Sequence, residues 1–206
     1  MLKLYYSPGA CSQAPHILMH ETGIGHDAVK VNLKSKTLDD GSSYLRINPK
    51  GAVPALELES GDALTENAVV LQFLGDRSGS DVLPMVGELR RYRVLEWVNF
   101  ITTELHKRFS FMFSNASDET KNFVTEQLAK KLDWIDERLG AGPFLFGDNL
   151  TLPDPYLFVM TRWTDKVLHN LDRWPNLSAF YERMQRRDSV RHVLRFEGLL
   201  EEEPAG

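Results

Sequence analysis

Cysteine is almost missing from this chain: its 206 residues contain one, Cys11. A single thiol closes no disulfide within the chain, which excludes a disulfide-stapled scaffold and suits a reducing compartment. Long hydrophobic runs are missing too. No stretch approaches the roughly 18 to 20 apolar residues of a membrane helix, and the N-terminus carries no apolar segment of the secretory kind, so a cytoplasmic protein is expected. Positive charge is in deficit, with 24 Lys and Arg against 29 Asp and Glu, which argues against a nucleic-acid partner for the chain as a whole. What is present suffices for a packed interior. A hydrophobic content of 42% with 26% charged residues describes a globular chain rather than a disordered one.

Over the first eighty residues the hydrophobic period keeps changing. LKLYY alternates, with Leu2, Leu4 and Tyr6 on one strand face. Cys11 to Glu21 has helical spacing, tolerates Pro15 in its first turn and stops near Gly23. AVKVNL alternates again through Val29, Val31 and Leu33, which completes a strand, helix, strand unit with parallel strands and a right-handed crossover. KSKTLDDGSS reads as a polar loop. NPKGAVPALELESGDALTEN then supplies two short strands around Ser60-Gly61-Asp62, and AVVLQFLGDR a helix. The order is βαβ followed by ββα.

From Pro84 onward strand patterns stop. In RYRVLEWVNFITTELHKRFSFM the residues Val94, Val98, Ile101, Leu105, Phe109 and Met112 recur at three and four positions, the stripe of one continuous helix. Val124, Leu128, Leu132, Ile135 and Leu139 mark a second helix, stopped by Gly140. TLPD starts a third: Thr151 caps and Asp154 answers from three residues on. Its body YLFVMTRW is apolar nearly all round, the mark of a central buried helix. Shorter helices are expected over 176–187 and 189–196, before a solvated tail, EEEPAG. GDRSGSDVLP reads as a linker, giving an α/β domain over 1–80 and an all-helical bundle over 81–206.

Cys11 joins the first strand to the first helix. Free cysteines are often small buried apolar residues. Here Pro8, Gly9, Ser12 and Gln13 surround it, which points to an accessible helix start where unpaired N–H groups and the helix dipole favour thiolate over thiol. The expectation is a reactive thiol with a lowered pKa. A redox CxxC pair would need a second cysteine at Ala14, so any disulfide chemistry must borrow an outside thiol, and the abundant cytosolic one is glutathione.

Six fragments in order, YYSPGACS, NPKGAVPAL, LTEN, WVNFITTELHK, TLPDPYLF and EGLL, make the chain resemble bacterial glutathione transferases of the beta class over nearly its whole length. The resemblance implies a thioredoxin-like N-terminal domain, an all-helical C-terminal domain, and a homodimer that holds glutathione at the domain seam. It places Cys11 beside the glutathione sulfur, or disulfide-bonded to it. It sets Lys36 against the tripeptide's glycyl carboxylate, and puts Val53 before a cis Pro54 so that its backbone pairs with the cysteinyl backbone. Glu66 and Asn67 then hold the γ-glutamyl end, where the family more usually has Glu-Ser or Glu-Gly-like pairs. In the helical domain Asn99 and His106 become ligands near the sulfur, with Glu104 directed toward the dimer partner.

Spacing bears on the helical set without the resemblance: Asn99, Thr103, His106 and Ser110 recur at four, three and four, a polar stripe beside the apolar one. Most such stripes face water. With Thr103 included, the glutathione-binding candidates are Cys11, Lys36, Val53, Pro54, Glu66, Asn67, Asn99, Thr103, Glu104 and His106. The catalytic candidates are Cys11 and His106, with Tyr6 and Ser12 as hydroxyls near the thiol that can steady a thiolate; Tyr5 is a further hydroxyl there. His16 and His20 have the one-turn spacing of two zinc ligands, but no HExxH follows and no third ligand is evident, so no metal is expected. Arg187, Arg191 and Arg195 lie near Glu182, Glu197 and the acidic tail and read as a solvated, ion-paired face.

The expected activity is therefore conjugation of reduced glutathione to small hydrophobic electrophiles, with thiol-disulfide exchange at Cys11 as a second reaction and no prosthetic group. The rival is a non-catalytic module that keeps the fold for protein interaction.

Overall fold

β1 (Leu2–Tyr6), α1 (Gln13–Glu21) and β2 (His26–Asn32) form the first unit of the computed structural model, which describes residues 1–140 and 142–200. β1 and β2 run parallel with Leu2 opposite His26. β4 (Ala55–Glu57) lies antiparallel on the other side of β1 and is joined by a hairpin to β5 (Ala63–Thr65). The polar loop holds an unexpected element: Thr37 and Leu38 form β3, antiparallel to β2, so the sheet order is β3-β2-β1-β4-β5. Two residues are too few for an alternating pattern to register.

β1 is central, and its residues are buried on both faces rather than the one its alternation suggested: Leu2, Leu4, Tyr5 and Tyr6 are all inside. Tyr5 packs with Val31, Tyr44, Val53 and Ala55 in one cluster. α1 is buried from Gln13 through Met19 and packs against α2 (Asn67–Ser78). Gly79, in a left-handed conformation, ends α2.

The chain divides into two compact units, Met1–Ser80 with the segment from Arg186 onward, and Asp81–Gln185. The contiguous second domain expected over 81–206 is thus corrected at its far end. There, α8 (Asp188–Phe196) packs on α1, with Arg187 and Ser189 bonded to Glu21. Burial works to raise the Glu21 carboxyl, but Arg187 and Ser189 hold it lowered. The acidic tail falls outside the described residues.

The helical unit holds α3 (Leu89–Phe100), α4 (Lys107–Met112), α5 (Asp118–Leu139), α6 (Pro153–Leu168) and α7 (Pro175–Gln185). The single helix expected from the Val94 stripe is interrupted: Ile101–His106 is a π-helical turn between α3 and α4. The stripe survives it, because Val94, Val98, Ile101, Leu105 and Phe109 all stay buried. Val124, Leu128, Leu132, Ile135 and Leu139 are buried along α5, whose start Ser117 caps through Thr120 N–H. α6 is enclosed from Pro153 to Thr161. Asp154 anchors its start by accepting from the Thr151 N–H at 2.6 Å, the Thr151 hydroxyl at 2.7 Å and the Leu145 N–H at 3.0 Å. Among the described residues no helix is long and apolar enough to cross a membrane.

Candidate functional site

The loop from Ser7 to Ser12 presents the thiol. Gly9 takes a φ of 72°, a conformation that costs glycine little and other residues more. The hydroxyl of Ser12 accepts the Ser7 N–H at 3.2 Å and is fully buried, so this candidate closes the turn locally. Tyr6 is buried with its ring against His16 and Phe196. Burial, and then the nearby Glu197, raise its phenol pKa. Tyr5 is committed elsewhere, donating to Glu57 at 2.7 Å.

Cys11 itself overturns the expectation of an accessible, acidic thiol. It is 6% exposed, and its Sγ–H donates to the Val53 carbonyl at 3.2 Å. Burial pushes its pKa up to about 12, outweighing the backbone N–H groups of Cys11 and Ser12 that pull it down. The helix start does act in the expected direction, but desolvation of a buried charge is larger.

The other N-terminal candidates gather around the same loop. The Val53-Pro54 peptide is cis, as the resemblance implied. Asn67, at the start of α2, donates its amide to the Cys11 carbonyl at 3.2 Å, while its buried Oδ1 has no hydrogen-bond partner among the described residues. Glu66 stands just before it with a φ of 71°, and no side chain caps the helix start, leaving N–H groups suited to an anion. Its carboxylate is exposed and paired with Lys50, a residue the sequence reading passed over. Lys36 bonds the Gly51 carbonyl at 2.7 Å.

Glu197 is the other residue that reading missed. Expected on a solvated face, it is buried and accepts from the Gly9 N–H at 2.8 Å and the Gln13 amide at 2.9 Å, with His16 Nδ1 at 3.4 Å. Nothing local could reveal this, since its partners lie more than 180 residues away.

In the helical unit Asn99, Thr103 and Ser110 are exposed, and Thr103 and Ser110 donate their hydroxyls back to the helix carbonyls of Asn99 and Lys107. His106 is half-buried at the end of the π turn, its Nδ1 2.6 Å from the Tyr156 hydroxyl and its ring 5.3 Å from that of Trp163. Glu104 pairs with Arg108 at 3.1 Å and Lys131 at 3.2 Å within its own unit. π turns are frequent at functional sites, and this one carries three of the four helical candidates.

Comparison with known proteins bears on these arrangements. The family description "Glutathione S-transferase, N-terminal domain" matches residues 9–77, and "Glutathione S-transferase, C-terminal domain" matches 116–183. The chain is 41% identical over 200 residues to glutathione S-transferase GstA of Escherichia coli O157:H7, covering 96% of this chain and all of that protein. Among solved structures, a beta-class glutathione S-transferase of Sphingomonas chungbukensis is 40% identical with a TM-score of 0.91. A sphingomonad glutathione S-transferase complexed with glutathione is 39% identical with a TM-score of 0.90. Each spans 96% of this chain and 100% of its own.

Proposed function

The chain belongs to the glutathione S-transferase family, and from that premise we propose that it binds reduced glutathione and transfers its sulfur to small hydrophobic electrophiles in the cytoplasm, as a homodimer. The observation that carries the reading is the start of α2. Glu66 directly precedes it without capping it through its side chain, so free N–H groups and an exposed carboxylate stand at neighbouring positions, which suits the carboxylate and ammonium of a γ-glutamyl group. Val53 offers its backbone to the cysteinyl portion, and Lys36 offers its ammonium to the glycyl carboxylate. Pro54, Asn67, Asn99, Thr103 and Glu104 complete the proposed binding set, with His106 and Tyr6 as thiolate-steadying groups.

Conjugation is the main reaction. Glutathione brings its own sulfur, so the protein's task is to favour that thiolate and orient it toward the electrophile. Exchange at Cys11 needs a protein thiolate, which burial disfavours, so it runs slowly. The family and its catalytic relatives favour the enzyme over a non-catalytic interaction module.

Calorimetric titration with reduced glutathione, followed by conjugation assays on a panel of halogenated nitrobenzenes and epoxides, tests the proposal. Saturable binding with turnover of at least one electrophile is expected, and a chain that binds no glutathione overturns it. Light scattering at micromolar concentration tests the dimer, which is expected at twice the chain mass.

A further inference from the structure

Four of the chain's six histidines meet on the N-terminal unit. His16 and His20 stand one turn apart on α1, so their rings share a helix face. His26 opens β2 beside them, and α8 brings His192. Ring centroids are 5.2 Å apart for His16 and His20, 5.3 Å for His16 and His26, 5.1 Å for His20 and His26, and 4.1 Å for His20 and His192. One ring nitrogen from each of His16, His20 and His26 lies within 4.8 Å of the others. The rings line a cavity of about 580 Å³ together with Gly25 and Phe196.

Two further contacts fix which nitrogens are available. His26 Nδ1 lies 2.9 Å from the Ile24 carbonyl, which only accepts, so Nδ1 carries the proton and Nε2 keeps its lone pair. His16 Nδ1 faces the Glu197 carboxylate at 3.4 Å, with the same result. An oxygen acceptor behind the ring is the support that metal-bound imidazoles usually have.

We propose that this cluster binds one late first-row divalent cation, Zn²⁺ first among them, through His16, His20 and His26, with His192 within reach as a fourth ligand. An all-imidazole donor set suits zinc, copper and nickel rather than calcium or magnesium. Zinc holds imidazole nitrogen at roughly 2.0–2.1 Å, so the nitrogens close from their present spacing to about 3.4 Å of one another. His20, only partly buried near the end of α1, lines the same cavity as His16 and His26. The bound ion ties α1 to β2.

The test uses untagged full-length protein, stripped with EDTA and titrated with zinc chloride by calorimetry, for the wild type and for His20→Ala, His26→Ala and the double variant. One ion per chain is expected, weakened at least about tenfold in each single variant and lost in the double. Co²⁺ bound to the wild type is expected to show the intense visible absorption of a four-coordinate site, bleached by Zn²⁺ and absent from the double variant. The thermal midpoint of the wild type is expected to rise with zinc and that of the double variant to stay fixed. Failure of the wild type to bind zinc, or binding that survives in the double variant, overturns the proposal. So does a metal-free double variant that melts far below the wild type while zinc leaves the wild-type midpoint unchanged, since the rings then only pack.

Discussion

The Glu197 carboxylate accepts the Gly9 N–H at 2.8 Å across 188 residues of chain. The same oxygen takes the Gln13 amide at 2.9 Å, so the loop carrying Cys11 and the first turn of α1 are both fastened to the end of α8. Glu197→Ala removes the acceptor that the part-buried Gly9 N–H and the buried Gln13 amide share and is expected to cost about 1.5–3 kcal/mol, a fall of roughly 3–12 °C in the unfolding midpoint for a chain of this size. Glu197→Gln keeps an acceptor oxygen and should lose less. Thermal unfolding followed by circular dichroism checks both, and an Ala variant as stable as the wild type contradicts the clamp.

The Cys11 thiol should be slow to alkylate. A pKa raised from 9.0 to about 12 lowers the thiolate fraction near neutrality about a thousandfold, tenfold for each unit. Iodoacetamide labelling at pH 8, read by intact mass, is expected to be at least about a hundredfold slower in native protein than in urea. The folded value lies above the unfolded one, so the group's contribution to stability is complete below pH 9 and is lost as pH rises from 9 toward 12. Labelling at equal rates in the two states sinks this.

Glu66→Ala should weaken glutathione binding by about 1.5–3 kcal/mol, the worth of a hydrogen bond to a charged group. Folding stability should barely change, because its ion pair with Lys50 is exposed and such pairs contribute roughly 0–1 kcal/mol. Calorimetry and urea unfolding together separate the two effects. Unchanged affinity removes Glu66 from the site.

Asp154→Ala removes the acceptor of two backbone N–H groups and one hydroxyl at a fully buried helix start. A loss of about 3 kcal/mol or more is expected from stranding them. Asp154→Asn retains one acceptor oxygen and should fall between. Equal midpoints for all three proteins, measured by urea unfolding, rule out the anchoring role.

The helical half was legible because its signal is local. The stripes through Val94 and Val124 follow from spacing alone, and Asp154 lies only three residues from Thr151. The π turn was not, since Ile101, Leu105 and Phe109 keep a spacing of four that an α-helix satisfies equally well. The N-terminal site was half legible. Residue type named Cys11 and the family resemblance named Glu66 and Asn67, but the direction of the thiol's pKa is set by its burial, and the Val53 carbonyl it bonds lies 42 residues away in sequence. His20 has a visible partner in His16 at one turn's distance, whereas His192 reaches it only through the packing of α8 on α1.

That packing also sets an order of events during synthesis. β1 and α1 leave the ribosome well before α8, and the acceptor for Gly9 and Gln13 is translated about 180 residues after them. The N-terminal unit therefore stays incomplete while the entire helical unit is made, and the latter, whose sequence is uninterrupted from Asp81 to Gln185, is free to fold ahead of it. Closure of the thiol loop therefore waits on the synthesis of α8, and a message cut short before α8 leaves that loop without its Glu197 anchor.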